Sequence, residues 1–208
     1  MPMTFPSHQG LILPVVRRWP HSFDSLALSV GAAMPDITDT ILGFPLNGYF
    51  KQWYGHSLIG IFTFDLGLGL SITWLITMLT RRLFRNRGVP RRLQPLFTDP
   101  LPDGAPERAG GAKRVPLRLW SFSVFIGILS HIGFDLISHD TNLLLYPWVE
   151  DPRWLPGWWY TIWFKIRPLT FFGRSYAVGV FSVIWGLLTM TGIFLFIRFL
   201  SPKQKDRI

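Results

Sequence analysis

The chain has 208 residues, 49% of them hydrophobic and only 16% charged, with a formal net charge of +9 and no cysteine. So apolar a composition excludes an ordinary soluble domain and points to a membrane protein. The missing cysteine excludes disulfides and thiolate metal sites, and leaves the redox compartment open.

Two short apolar stretches come first, Gly10 to Val16 and Ser25 to Met34. A bilayer crossing takes roughly 20 residues, so these are expected as half-helices or re-entrant pieces packed on a bundle. The opening MPMTFPSHQG has no basic region and Pro14 interrupts the first stretch, so no cleavable signal peptide is expected. Three later segments are long enough to cross: about Ser57 to Leu79, about Leu119 to Ser138 and about Tyr176 to Leu200. The expected fold class is therefore all-α. A single membrane domain over 1–208 forms an integral membrane helical bundle, with three long transmembrane helices plus two short N-terminal helices.

Residues 86–116 hold many Pro, Gly and Arg and read as a flexible cytoplasmic loop. Residues 140–174 hold five of the ten tryptophans and read as an extracytoplasmic interfacial belt, with a short helix lying on the membrane. No internal repeat is evident.

The basic residues set an orientation. If Arg17 and Arg18, the loop from Arg81 to Arg118, and the end from Arg198 to Arg207 are cytoplasmic, 16 of the 21 Lys and Arg lie inside. That is what the positive-inside rule expects. The expected localisation is then a multi-pass protein of the cell inner (plasma) membrane, its large basic loop and C-terminus cytoplasmic. Its positive charge fits contact with membrane lipid, so membrane lipid and no nucleic acid is the expected partner.

With that topology, four of the five histidines and three acids fall on the outer side. His8 precedes the first short stretch, Asp36 and Asp39 follow the second, and His56 opens the first long segment. His131, Asp135 and His139, each four residues apart, end the second. Residues four apart differ by about 40° around a helix, so these three share one face if the helix persists through His139. Imidazole and carboxylate together are the ligands of zinc and similar divalent metals. The expected metal ligands are His8, Asp36, His56, His131, Asp135 and His139, for one or two ions with carboxylate bridging. Asp39 and Asp140 stand beside them as candidate catalytic general bases. Taken singly, each position also reads as an interfacial residue or a cap, Asp36 after Pro35 as an N-cap. Asp65 lies nine residues past His56, on roughly the opposite face. It is expected to form a buried hydrogen bond unless Gly67 and Gly69 break the helix.

The segments MPMTFPSH, PVVRRW, LSVGAAMPDI, YGHSLIGIFTFDLGLGL and SHIGFDLISH resemble, in that order, the bacterial membrane proteins called domain of unknown function 4184. More distantly, the order His, Pro-Asp, His-Ser, His-x-x-x-Asp is similar to the YdjM-like inner-membrane proteins, described as metal-dependent hydrolases. Those in turn resemble zinc-dependent phospholipase C and the single-strand nucleases of its fold. The resemblance implies His8, Asp36, His56, His131 and Asp135 as metal ligands, with His139 as the extra histidine of the closer family. The second HxxxE helix of the zinc phospholipases is not found here.

The expected function is a membrane metal-dependent hydrolase, a phosphoesterase with a lipid-phosphate substrate at the outer face. Two alternatives stay open: a small ion- or proton-coupled transporter using Asp65 and the cluster as a relay, and a non-enzymatic structural protein with a satisfied polar network.

Overall fold

The computed structural model of the protein describes residues 5–43, 54–84, 88–90, 92–97, 116–139, 144–146, 148–149, 153–166 and 176–201. Helices α1 (Ser7–Ile12) and α2 (Pro14–Arg18) are one apolar stretch cut at Leu13. Pro14 has no N–H to continue the ladder and suits the first position of a new helix. Helix α3 (Ser25–Gly31) is capped by Asp24, whose carboxylate accepts from the Ala27 N–H at 2.7 Å. Helix α4 (Met34–Gly43) follows directly. Four short helices thus stand, among the described residues, where two were expected. The run DITDT in α4 is too polar to register as an apolar stretch, although it is helical.

Three long helices follow: α5 (Leu58–Leu83), α7 (Leu117–Ser138) and α8 (Val180–Leu200). All three are long and apolar enough to cross a membrane, and they agree with the expected segments to within a few residues. A π-helical segment, Ile61–Asp65, interrupts α5 near its start. Trp74, Leu187, Met190, Phe194 and Ile197 are each at least 56% exposed, which is the outward face a bilayer would cover. Between α5 and α7 the short helix α6 (Gln94–Phe97) places Leu96 and Phe97 against the core. Most of the expected flexible loop lies outside the described residues.

The expectation of an all-α fold needs one correction. Strands β1 (Ile162–Ile166) and β2 (Tyr176–Gly179) pair antiparallel, Lys165 opposite Ala177. Among its described residues the tryptophan-rich segment therefore holds a 3₁₀ turn, Gly157–Tyr160, and the strand β1 where a short helix was expected, and β2 takes up the start of the expected third span. The β-branched and aromatic residues of IWFKI favour extended chain over helix.

Two close helix crossings organise the bundle. A Cβ on Gly127 would lie 2.4 Å from the Leu28 carbonyl oxygen, and one on Gly31 2.2 Å from that of Val124. Backbones this near need glycine on both sides, and in an apolar surround such close packing is what holds helices together. Leu26, Ala27, Val30, Met34, Ile61, Val124, Ile128 and Ile132 form the core around this crossing of α3 and α7. At the second crossing, a Cβ on Gly192 of α8 would lie 2.1 Å from the Ser7 carbonyl oxygen of α1. Arg17 then donates to the carbonyls of Arg198 and Phe199, both at 3.1 Å, and caps the C-terminus of α8.

Candidate metal centre

The crossing of α3 on α7 delivers the first candidate ligand. Because α3 ends close against Gly127, the Ala32 carbonyl accepts from Nδ1 of His131 at 2.8 Å. A carbonyl can only accept, so that ring carries its proton on Nδ1 and turns a bare Nε2 inward.

His56 is prepared the same way. It closes a 3₁₀ turn, Tyr54–His56, before Ser57 caps α5 by accepting from the Gly60 N–H at 3.0 Å. Asp39 of α4 sits behind it. One carboxylate oxygen accepts from Nδ1 of His56 at 2.7 Å, the other from the Gly55 N–H at 2.6 Å. Both oxygens of Asp39 are engaged in orienting His56.

The two Nε2 atoms face each other at 3.2 Å. Oδ2 of Asp135 lies 3.0 Å from that of His56 and 3.2 Å from that of His131. Oδ1 of Asp36 lies 3.7 Å and 3.8 Å from the same two nitrogens. Tetrahedral zinc with bonds of about 2.0–2.1 Å sets its ligand atoms about 3.3–3.4 Å apart, in the middle of these distances. Three buried groups converge on one point, and with Nδ1 of each ring engaged behind it, both Nε2 atoms turn towards that point. The donor set, nitrogen and carboxylate oxygen, fits a divalent ion such as zinc.

The other oxygen of Asp135 faces a second pair of histidines. Oδ1 lies 3.3 Å from Nδ1 of His139 and 3.6 Å from Nε2 of His8. His8 comes from α1, and its ring stacks on His131 with centroids 4.1 Å apart. Asp135 thus stands between two groups: Asp36, His56 and His131 on one side, His8 and His139 on the other. The helix of His131 and Asp135 ends at Ser138, and His139 is already extended, yet its ring still reaches Asp135.

Electrostatics fit the geometry. Burial, reinforced by the neighbouring His131, lowers His8 to about 3, so its imidazole is neutral and ligand-ready. Burial raises the Asp36 carboxyl. For His56 burial opposes the charge, but its hydrogen bonds to Asp135 and Asp39 outweigh it and push the ring up to about 10. A proton held that tightly marks a point of strong negative potential, which a cation would share.

The structure thus brings together all six expected metal ligands and Asp39. Asp36 lies in the first turn of α4 and is not its N-cap. Asp140 lies outside the described residues, and His21 sits exposed in a turn. Asp65 is fully buried and accepts from the Thr38 hydroxyl at 2.5 Å. The departure from α-helix comes at the π segment ending in Asp65, and α5 continues through Gly67 and Gly69. Sequence reading missed the Ala32 carbonyl and Thr38. A backbone acceptor leaves no sequence signal, and one threonine between two aspartates gives only a weak one.

A family model described as Domain of unknown function (DUF4184) matches residues 1–200. No curated protein and no solved structure matches the chain.

Proposed function

The chain belongs to the DUF4184 family, whose description names no activity, and we propose from its site that it is an integral membrane metal-dependent hydrolase. In this reading it is a phosphoesterase acting on a lipid-like substrate at the outer face of the membrane. The observation that carries it is the convergence of Nε2 of His56, Nε2 of His131 and Oδ2 of Asp135 within 3.2 Å of one another, with Asp36 beside them. Two imidazoles and two carboxylates would hold one ion, zinc by ligand chemistry. Asp135 with His8 and His131, whose ligand atoms lie within 4.8 Å of one another, offers a second position, with His139 beside Oδ1 of Asp135. A divalent ion supplies Lewis acidity to a phosphoryl oxygen and to water.

The chain's own residues supply the rest. Asp39 and Ala32 hold the two rings in the ligating tautomer. Asp36, its side chain 28% exposed against at most 11% for His56, His131 and Asp135, is the open edge of the cluster. That edge is where a substrate and water would enter. The distant resemblance of the ordered motifs to YdjM-like proteins and zinc phospholipases supports hydrolysis. The Lys and Arg distribution supports an outer position for the cluster and a cytoplasmic one for the basic loop. The cluster lies where α5 begins and α7 ends, so a membrane-borne phosphate ester is the natural substrate class.

The test is elemental analysis of the detergent-purified chain, followed by a screen of phosphate esters and lipid phosphates with and without chelator. Stoichiometric metal and chelator-sensitive release of phosphate are expected. A metal-free protein that resists loading sinks the reading, and loaded protein that cleaves no ester sinks the hydrolase part of it.

A further inference from the structure

The strongest feature that the site does not use is the buried carboxylate of Asp65. It is 0% exposed, and one of its oxygens has no hydrogen-bond partner among the described residues. The other accepts from Thr38, itself 1% exposed. Thr38 sits on α4 between the two carboxylates this short helix brings to the cluster, Asp36 and Asp39. At about 100° per residue, Thr38 points about 160° away from Asp36 and about 100° from Asp39. Asp65 therefore grips the back of the helix whose front carries the ligand and the orienting acid.

We propose that Asp65 is a positioning residue for the metal centre, fixing the rotation of α4 through Thr38 so that Asp36 and Asp39 face the imidazoles. The proposal rests on reading the cluster as a metal centre. Apolar contacts cannot do this job alone, because they change little when a short helix turns by a fraction of a residue. A hydroxyl donating to a carboxylate is directional and strong in a dry surround. The π segment Ile61–Asp65 contributes as well. An extra residue in a turn rotates the later positions of the helix by about 100°, and the rotated position here is Asp65 itself.

The test measures zinc affinity of the full chain in nanodiscs, by competition with a chromophoric chelator, for wild type, Thr38→Val, Asp65→Leu, Asp65→Asn and the Thr38→Val/Asp65→Leu double variant. Losing an outer-shell support weakens metal binding by about 10–100-fold. Thr38→Val and Asp65→Leu should each show that loss with zinc stoichiometry kept at saturation. The double variant should be no weaker than the weaker single one. Asp65→Asn, which keeps an acceptor for Thr38, should stay within about threefold of wild type on the same scale. Wild-type affinity in Thr38→Val, which keeps the side chain's volume and removes only the hydroxyl, overturns the proposal while leaving the metal reading intact. So does an Asp65→Asn variant as weak as Asp65→Leu, since charge and not the grip would then matter. If wild type binds no zinc, the metal reading fails, and hydrogen exchange over residues 34–43 decides the grip separately. Faster exchange in Thr38→Val and Asp65→Leu, but not in Asp65→Asn, supports it, and unchanged exchange ends it.

Discussion

The cluster around Asp135 and the tryptophan-rich hairpin are the two regions whose composition stands out most, and they have opposite fates. His131 is 0% exposed and His56 6%, each held by a specific partner behind the ring. Trp158 is 61% exposed and Trp163 56%, and β1 is exposed along its whole length. Polar groups ended up inside and indoles outside, the reverse of a soluble protein. A bilayer around the bundle would account for the difference. Imidazoles and carboxylates cannot face hydrocarbon unpartnered, so they satisfy one another within the bundle. Indoles gain nothing from burial that a membrane interface does not already offer them.

That contrast can be broken at the cluster first. His131→Ala and Asp135→Ala each remove a proposed ligand and, for Asp135, the carboxylate shared by both histidine groups. Bound metal should fall below stoichiometric detection by elemental analysis, and retention of wild-type content in either variant would show that the ion, if any, binds elsewhere. Next comes the crossing that delivers His131. Gly127→Ala drives a methyl to within 2.4 Å of the Leu28 carbonyl oxygen, which must shift. Overpacking of this kind costs about 1–3 kcal/mol, so thermal unfolding should come earlier and zinc affinity should drop with it. A variant that melts like wild type would mean the two helices are not in contact there.

A smaller effect is expected from the support behind His56. Asp39→Asn should weaken zinc by about 10–100-fold without changing stoichiometry. Binding also responds to pH. His56 is held up to about 10, so in the metal-free protein it is protonated at neutral pH, and a cation must displace that proton. Affinity should therefore rise with pH, by about tenfold per unit for each proton released, across pH 6 to 8. A flat profile in a competition titration would show that His56 is already neutral in the metal-free protein. The hairpin closes the series. Trp158→Ala and Trp163→Ala should leave zinc affinity within about twofold, because neither indole is among the groups that hold the rings. A larger loss would show that the two regions are coupled.

Much of the fold and the site is legible in the chain of residues alone. Runs of apolar residues of spanning length give themselves away, because hydropathy is a local property, and α5, α7 and α8 appear where expected. The HxxxD spacing of His131 and Asp135 is readable from helical periodicity, and the Lys and Arg pattern already suggests that His8, Asp36 and His56 belong on the same side. The short helix α4 is not readable, since its polar positions hide it from a hydropathy window. Nor is the hairpin, whose aromatic residues fit an interface in either conformation.

By itself, then, the sequence determined which residues have the chemistry to bind a cation and which segments are apolar enough to span. Tertiary structure alone decided that Asp135 offers one oxygen to each of two histidine groups, that Ala32 and Asp39 set the ring tautomers, and that Asp65 reaches Thr38. The physical reason is that those contacts depend on angles and distances between helices far apart in the chain. They are set by glycines that let backbones meet and by a π segment that turns one side chain to a new face.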